Sequence, residues 1–182
     1  MSSPNGSTES RPTEGESPRR CDLVGRDSVE PRGLRQRKHP AKGVFIFRGQ
    51  ATIVFATVCS RHRERSLANG VVHDALLGTW KKADRWTIGA YMIMPDHMHF
   101  FCSPLDETVE IEKWITFWKR QLKRDLGEKT PRFQIDSFHH RLRGEDSYSE
   151  KWEYVRANPV RAGLVEKVED WPYQGVLNEL RC

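Results

Sequence analysis

Two histidines separated by one apolar residue, His97-Met98-His99, lie inside Met94-Pro95-Asp96-His97-Met98-His99-Phe100-Phe101, a run otherwise composed like a buried strand. Alternate residues of a strand share a face and each advances about 3.3 Å. The two imidazoles therefore point one way, about 7 Å apart at the backbone, and Met98 points the other. Two imidazoles so placed can grip one metal ion without completing its coordination. A six-coordinate ion such as Mg²⁺ or Mn²⁺ also takes oxygen ligands and water. Alone, such a pair on an apolar strand is more often structural than catalytic, so the rest of the chain must supply partners.

Oxygen donors late in the chain are Glu153, Asn158 and Glu166. Asn158 follows Tyr154 by four residues, and on a helix that spacing puts both on one face with Cβ atoms about 6 Å apart. If that face packs over the histidine strand, one segment brings a carbonyl ligand and a phenol to the same ion. A phenol beside a hard cation suits attack on phosphorus. Ionising a tyrosine of pKa near 10 costs about 4 kcal/mol at neutral pH, and a divalent cation offsets part of that. The product is a covalent phosphotyrosine that conserves the bond for rejoining. Spacing alone leaves Tyr91, Tyr148 and Tyr173 open as alternatives, and leaves Asn158 open as a cap beside Pro159.

The elements that must hold these groups follow from periodicity. Thr52 to Val58 is β-branched and aromatic, hence a strand, with ordered structure beginning near Val44-Phe45-Ile46-Phe47 and a turn at Gly49-Gln50. Val72, Ala75, Leu76, Thr79, Trp80 and Ala83 have helical spacing. Thr87–Met94 and His97–Cys102 read as strands joined at Pro95-Asp96. Ile111, Trp114, Ile115, Trp118, Leu122 and Leu126 mark a second helix ending at Gly127. Phe133–Arg143 reads as a strand, Gly144-Glu145-Asp146 as a turn, and Ser147–Ala157 as a third helix. Pro159 disfavours a helical Asn158, Val160–Val168 is a further short helix, and Trp171-Pro172-Tyr173 is a turn. This order fits the split βαβ plan, an α+β fold with a ferredoxin-like antiparallel sheet and helices on one face.

Composition sets the limits. No run of about 18 apolar residues suggests a membrane span, and the start carries no pattern of a secretory signal. Cys21, Cys59, Cys102 and Cys182 form no Cys-x-x-Cys pair, which points to reduced thiols and a cytoplasmic setting. The net charge is +5, but residues 1–43 hold nine basic and six acidic side chains, and residues 44–182 hold 21 and 19. The folded part is nearly neutral, so bulk charge says little about a nucleic-acid partner. Residues 1–43 are rich in Ser, Pro, Gly, Glu and Arg. They read as a disordered, partly basic tail, followed by one domain over 44–177 and a short end at 178–182.

At this point the chain resembles a known family. Met94-Pro95-Asp96-His97-Met98-His99 is similar to the Met-Pro-(Asp/Glu)-His-U-His motif of the single-tyrosine HUH transposases, U being hydrophobic. Tyr154-Val155-Arg156-Ala157-Asn158-Pro159-Val160-Arg161-Ala162-Gly163-Leu164-Val165 resembles the Tyr-Ile-x-x-Asn-Pro-Val-(Lys/Arg)-x-Gly-Leu-Val block of their REP-associated tyrosine transposase branch, and Trp171-Pro172-Tyr173 sits where that branch has a like element. The resemblance covers residues 44–177. It implies a metal-dependent enzyme that cuts and rejoins single-stranded DNA near hairpins, with Mg²⁺ or Mn²⁺, a 5′-phosphotyrosine intermediate and a free 3′ hydroxyl. Carried over, His97, His99 and Asn158 match the metal ligands and Tyr154 the nucleophile, on a C-terminal helix. It also implies nucleoid association, as monomer or homodimer.

A DNA surface is expected along residues 113–143, where nine basic side chains stand against three acidic ones. The candidates are Lys119, Arg120, Lys123, Arg124, Arg141 and Arg143, with Trp114, Phe117 and Trp118 as nearby stacking rings. His139 and His140 are expected at the surface, with DNA contact as the alternative. Two rival readings keep the scaffold: a non-catalytic binder of structured DNA or RNA, and a metal-dependent hydrolase of small phosphoesters.

Overall fold

The computed structural model describes residues 52–142 and 145–180, apart from the side chains of Glu145 and Asp146. The expected tail, its basic stretch, the Val44–Phe47 strand start, the turns at Gly49 and Gly144, the candidate Arg143, and the last two residues lie outside these.

The fold is α+β. Five strands form one antiparallel sheet in the order β4-β1-β3-β2-β5. They are β1 (Val54–Cys59), β2 (Trp86–Ile93), β3 (His97–Pro104), β4 (Phe138–Arg141) and β5 (Gln174–Val176). The first four have the split βαβ arrangement expected from the element order.

Helix α1 (Gly70–Lys82) starts where the Asn69 side chain accepts from the Val72 amide at 3.0 Å. It buries Val72, Leu76, Thr79 and Trp80, and Lys81 and Lys82 face the negative end of its dipole. Helix α2 (Ile111–Leu126) buries Ile111, Trp114, Ile115, Trp118 and Leu122, and ends at Gly127, whose φ of +56° suits a residue without Cβ. Both helices cover one face of the sheet, made by Val54, Ala56 and Val58 of β1, Ile88, Tyr91 and Ile93 of β2, and Met98, Phe100 and Cys102 of β3. Trp114 lies in this layer stacked on Trp86, its indole donating to the Ala83 carbonyl at 2.8 Å.

Helix α3 (Glu145–Arg156) packs on the opposite face, where Tyr148, Trp152 and Val155 meet Phe55, Ala90, Met92, Phe101 and Leu142. The sheet is thus covered by α1 and α2 on one side and by α3 on the other. Strand alternation assigns His97, His99 and Phe101 to the α3 side.

The structure departs from sequence expectation in four places. The Phe133 stretch makes only one bridge, to Ser60, and the strand itself is the four residues Phe138–Arg141. Asn158 is helical: α4 spans Asn158–Arg161 with Pro159 in its first turn, where a missing amide hydrogen costs nothing. Gly163, with φ +64°, follows α4, and the expected helix to Val168 gives way to a single 3-10 turn at Val168–Asp170. The segment after Trp171 continues as β5 along β2. Gly175 fits there because a Cβ would lie 2.9 Å from the Tyr91 hydroxyl.

Candidate active site

The two histidines open β3 directly after the Pro95-Asp96 turn. That turn is fixed from two sides, with the Leu67 amide donating to Pro95 O and the Ser60 amide and hydroxyl donating to Asp96 O, each at 2.9 Å. Across the ladder, His99 faces Thr57 and His97 faces Cys59. The imidazole centres lie 4.8 Å apart at a steep angle, and Phe55 stacks on His99 at 5.3 Å.

Each ring is oriented through Nδ1. His97 Nδ1 donates to Asp96 Oδ1 at 2.7 Å, and His99 Nδ1 lies 2.8 Å from Thr57 Oγ1. Asp96 is in turn bound by Arg63 Nη1 at 3.2 Å. The hydrogen bond from His97, then Arg63's charge, holds the Asp96 carboxyl below its usual range. Burial pushes the His99 imidazole well below its ordinary value, and the nearby His97, Lys151 and Arg63 act in the same direction. A neutral ring with Nδ1–H given to Thr57 keeps its Nε2 lone pair for a metal. This is the outer-shell pattern of metal-binding histidines.

The donor set therefore fits a divalent cation in part. Two Nε2 atoms on one face are compatible with Mg²⁺ or Mn²⁺, though among the described residues no third His, Cys, Asp or Glu joins them in a ligand cluster. An oxygen donor of another kind is needed. Asn158 is the candidate that sequence offers, and its Oδ1 accepts from Arg161 Nη2. Of the other two oxygen donors, Glu153 bonds Arg156 and Glu166 is exposed.

Tyr154 is 37% exposed near the end of α3. Arg161 covers its ring, guanidinium carbon 4.1 Å from the ring centre, and donates to the Tyr154 carbonyl at 3.1 Å. One turn earlier, Lys151 Nζ lies 5.6 Å from the Tyr154 ring centre and 4.9 Å from that of Phe55, the ring stacked on His99. The phenol, this ammonium and the imidazole pair thus share the α3 side of the sheet. The other tyrosines have different settings. Tyr148 packs on Phe101 at 4.5 Å, Tyr173 packs edge-on to Trp171, and Tyr91 lies on the far face with its hydroxyl 2.9 Å from His73 Nε2.

The expected basic surface is elsewhere. Helix α2 lies on the face away from the histidines, so Arg120, Lys123 and Arg124 are exposed on the far side of the molecule from them. Lys119 is spent locally: its Nζ donates to Gln134 O at 2.9 Å, and burial lowers its pKa to about 8. Arg141 pairs in register with Val54 on edge strand β4. Trp114 and Trp118 are core, leaving Phe117 as the exposed ring of that group. His139, expected at the surface, is buried with Nε2 3.0 Å from Glu112 Oε1, because alternation turns it under the helical layer. His140 takes the histidine face beside Phe55 and Phe138, each ring centre at 5.5 Å.

Sequence reading missed Thr57, Arg63, Lys151 and Arg161 as site residues. Only the cross-strand register, or the turn that carries Arg63 with φ +57°, brings the first two to the histidines.

No family profile matches the chain. A REP-associated tyrosine transposase of Escherichia coli (strain K12) is 32% identical over 97 residues, covering 50% of this chain and 56% of that protein. A Haemophilus influenzae protein provisionally given the same name is 26% identical over 106 residues, covering 51% and 60%. In this stretch the chain is similar to REP-associated tyrosine transposases. The match spans little more than half the length of these curated relatives. The solved structure of a REP-associated tyrosine transposase bound to a REP hairpin aligns with TM-score 0.57 at 24% identity, over 78% of this chain and 81% of the other, which shows a shared fold. Among the described residues no helix is long and apolar enough to cross a membrane.

Proposed function

We propose that this chain, similar in part to REP-associated tyrosine transposases, cuts and rejoins single-stranded DNA beside hairpins, with Tyr154 as nucleophile. The reading rests on one observation: His97 and His99 each have Nδ1 engaged by an oxygen of the chain, on the sheet face that α3 covers. His97 and His99, with Asn158 once Arg161 releases it, would hold Mg²⁺ or Mn²⁺. Such a cation supplies charge neutralisation at a phosphate oxygen and favours the ionised phenol. Tyr154 Oη forms the bond to phosphorus and gives its proton to solvent, while the bond from phosphorus to the 3′ oxygen breaks and that oxygen gains a proton. The 5′ phosphate remains on the tyrosine, and attack by a 3′ hydroxyl reverses the step. Asp96, Arg63 and Thr57 orient the imidazoles.

The domain is read as residues 44–177. The exposed Arg120, Lys123 and Arg124, with Arg141, are read as backbone contacts to a hairpin stem lying outside the catalytic face. In that case strand cutting and stem holding occur on different sides of one domain.

The test is a denaturing gel after incubation with a hairpin-flanked single strand and Mn²⁺. A covalently shifted protein band is expected from the parent chain and none from Tyr154→Phe. Asn158's bond to Arg161 favours a second reading, a hairpin-binding protein without catalysis. That reading expects tight binding and no shifted band from either chain.

A further inference from the structure

Lys151 occupies a position that packing alone would give to an apolar residue. On α3, Tyr148, Trp152 and Val155 form the stripe against the sheet, and Lys151 lies between them, half-buried. A lysine that only needed solvent would extend its ammonium outward along the helix surface. Here Nζ turns inward instead, 4.9 Å over the Phe55 ring. A cation over an aromatic face is worth about 0.5–2 kcal/mol, which favours this inward placement.

What the position achieves is placement. Phe55 also stacks on His99 at 5.3 Å, so the ammonium and the nearer imidazole pack against the same ring. The distance from Nζ to the Tyr154 ring centre is 5.6 Å, and Tyr154 lies three residues on, along the same side of the helix. A phosphate approached by the phenol and drawn toward the imidazoles would meet Nζ between the two.

We propose that Lys151 holds a non-bridging oxygen of the phosphate attacked by Tyr154, as a compact point charge that neutralises it during transfer. This deepens the reading of Tyr154 as nucleophile and rests on it. An ammonium suits the role because it donates in three directions without the planar fork that Arg161 uses against the Tyr154 carbonyl and Asn158. In the transition state the transferred phosphoryl oxygens gain charge, so a cation fixed beforehand contributes most there.

The experiment uses the full chain and a hairpin-flanked oligonucleotide whose cut linkage has been mapped with the parent protein. Adduct formation is timed for the parent, Lys151→Met and Lys151→Arg, first on the phosphate and then on a methylphosphonate at that linkage. The expected result is a loss of about 100-fold for Lys151→Met on the phosphate, carried by kcat rather than KM, with partial recovery in Lys151→Arg. On the methylphosphonate, which carries no ground-state charge and keeps one non-bridging oxygen in place of two, the loss in Lys151→Met should shrink markedly. Parent-like rates for Lys151→Met on the phosphate, or equal losses on both substrates, overturn the proposal while leaving Tyr154's adduct intact. Absence of any adduct from the parent overturns the nucleophile reading and this proposal together.

Discussion

Thr57 and His99 face each other across the β1–β3 ladder, hydroxyl oxygen to Nδ1 at 2.8 Å. The contact fixes which imidazole nitrogen is left over. Thr57→Val keeps the side-chain shape and removes the oxygen. Mn²⁺ affinity, read by calorimetry or electron paramagnetic resonance, should fall about 10–100-fold. Unchanged affinity would show that His99 needs no such partner, and His99→Ala should abolish the same signal.

The outer face of α2 should carry salt-sensitive affinity. Changing Arg120, Lys123 and Arg124 together to Gln removes three exposed charges from a helix whose core stripe is untouched. If each meets a duplex phosphate, the slope of log affinity against log salt drops by about 0.9 per contact. Cutting rates at saturating DNA should stay near the parent, because these residues lie across the sheet from His97 and His99. An unaltered slope would remove α2 from the DNA surface.

Lys119 gives a signed pH effect. Its pKa in the folded chain is about 8, lowered from 10.5 chiefly by burial. Between those values the unfolded chain binds the extra proton, so this group's contribution to stability rises with pH across that window. Below it, the folded state bears the full cost of a buried charge. Lys119→Met should therefore raise the urea midpoint most near pH 7, with the gain shrinking toward pH 10. A gain constant with pH would contradict the burial account.

Gly175 tests the attachment of β5. A Cβ there would meet the Tyr91 hydroxyl at 2.9 Å, and that hydroxyl is also bound to His73. Gly175→Val should cost about 1–3 kcal/mol by overpacking and speed amide exchange at Leu177, whose N–H donates to Gly89 O. Full stability with slow exchange would mean that β5 adjusts freely.

The long helix and the central strands are legible in the sequence: Ile111 through Leu122 repeats at helical spacing, and Val54 through Val58 is a short run rich in β-branched and aromatic residues. β5 is not, since three residues centred on a glycine carry no period. Asn158 was misread because Pro159 was weighed as a helix breaker when it stands in a first turn. The His97–His99 pair and Tyr154 stood out by type and spacing. Their neighbours did not. Thr57 reaches His99 only through strand register, and Lys151 reads as an ordinary surface lysine until α3 is turned onto the sheet. The basic run at 113–143 was visible as charge, but only the layer order shows that α2 and the histidines occupy opposite faces.

The most direct test of the account is mass spectrometry of the protein after reaction with a hairpin-flanked single strand and Mn²⁺, followed by nuclease and protease digestion. The account predicts a nucleotide 5′ phosphate on the peptide containing Tyr154, lost in Tyr154→Phe and in His97→Ala. A phosphorylated Tyr148, or an adduct that persists in Tyr154→Phe, would contradict it.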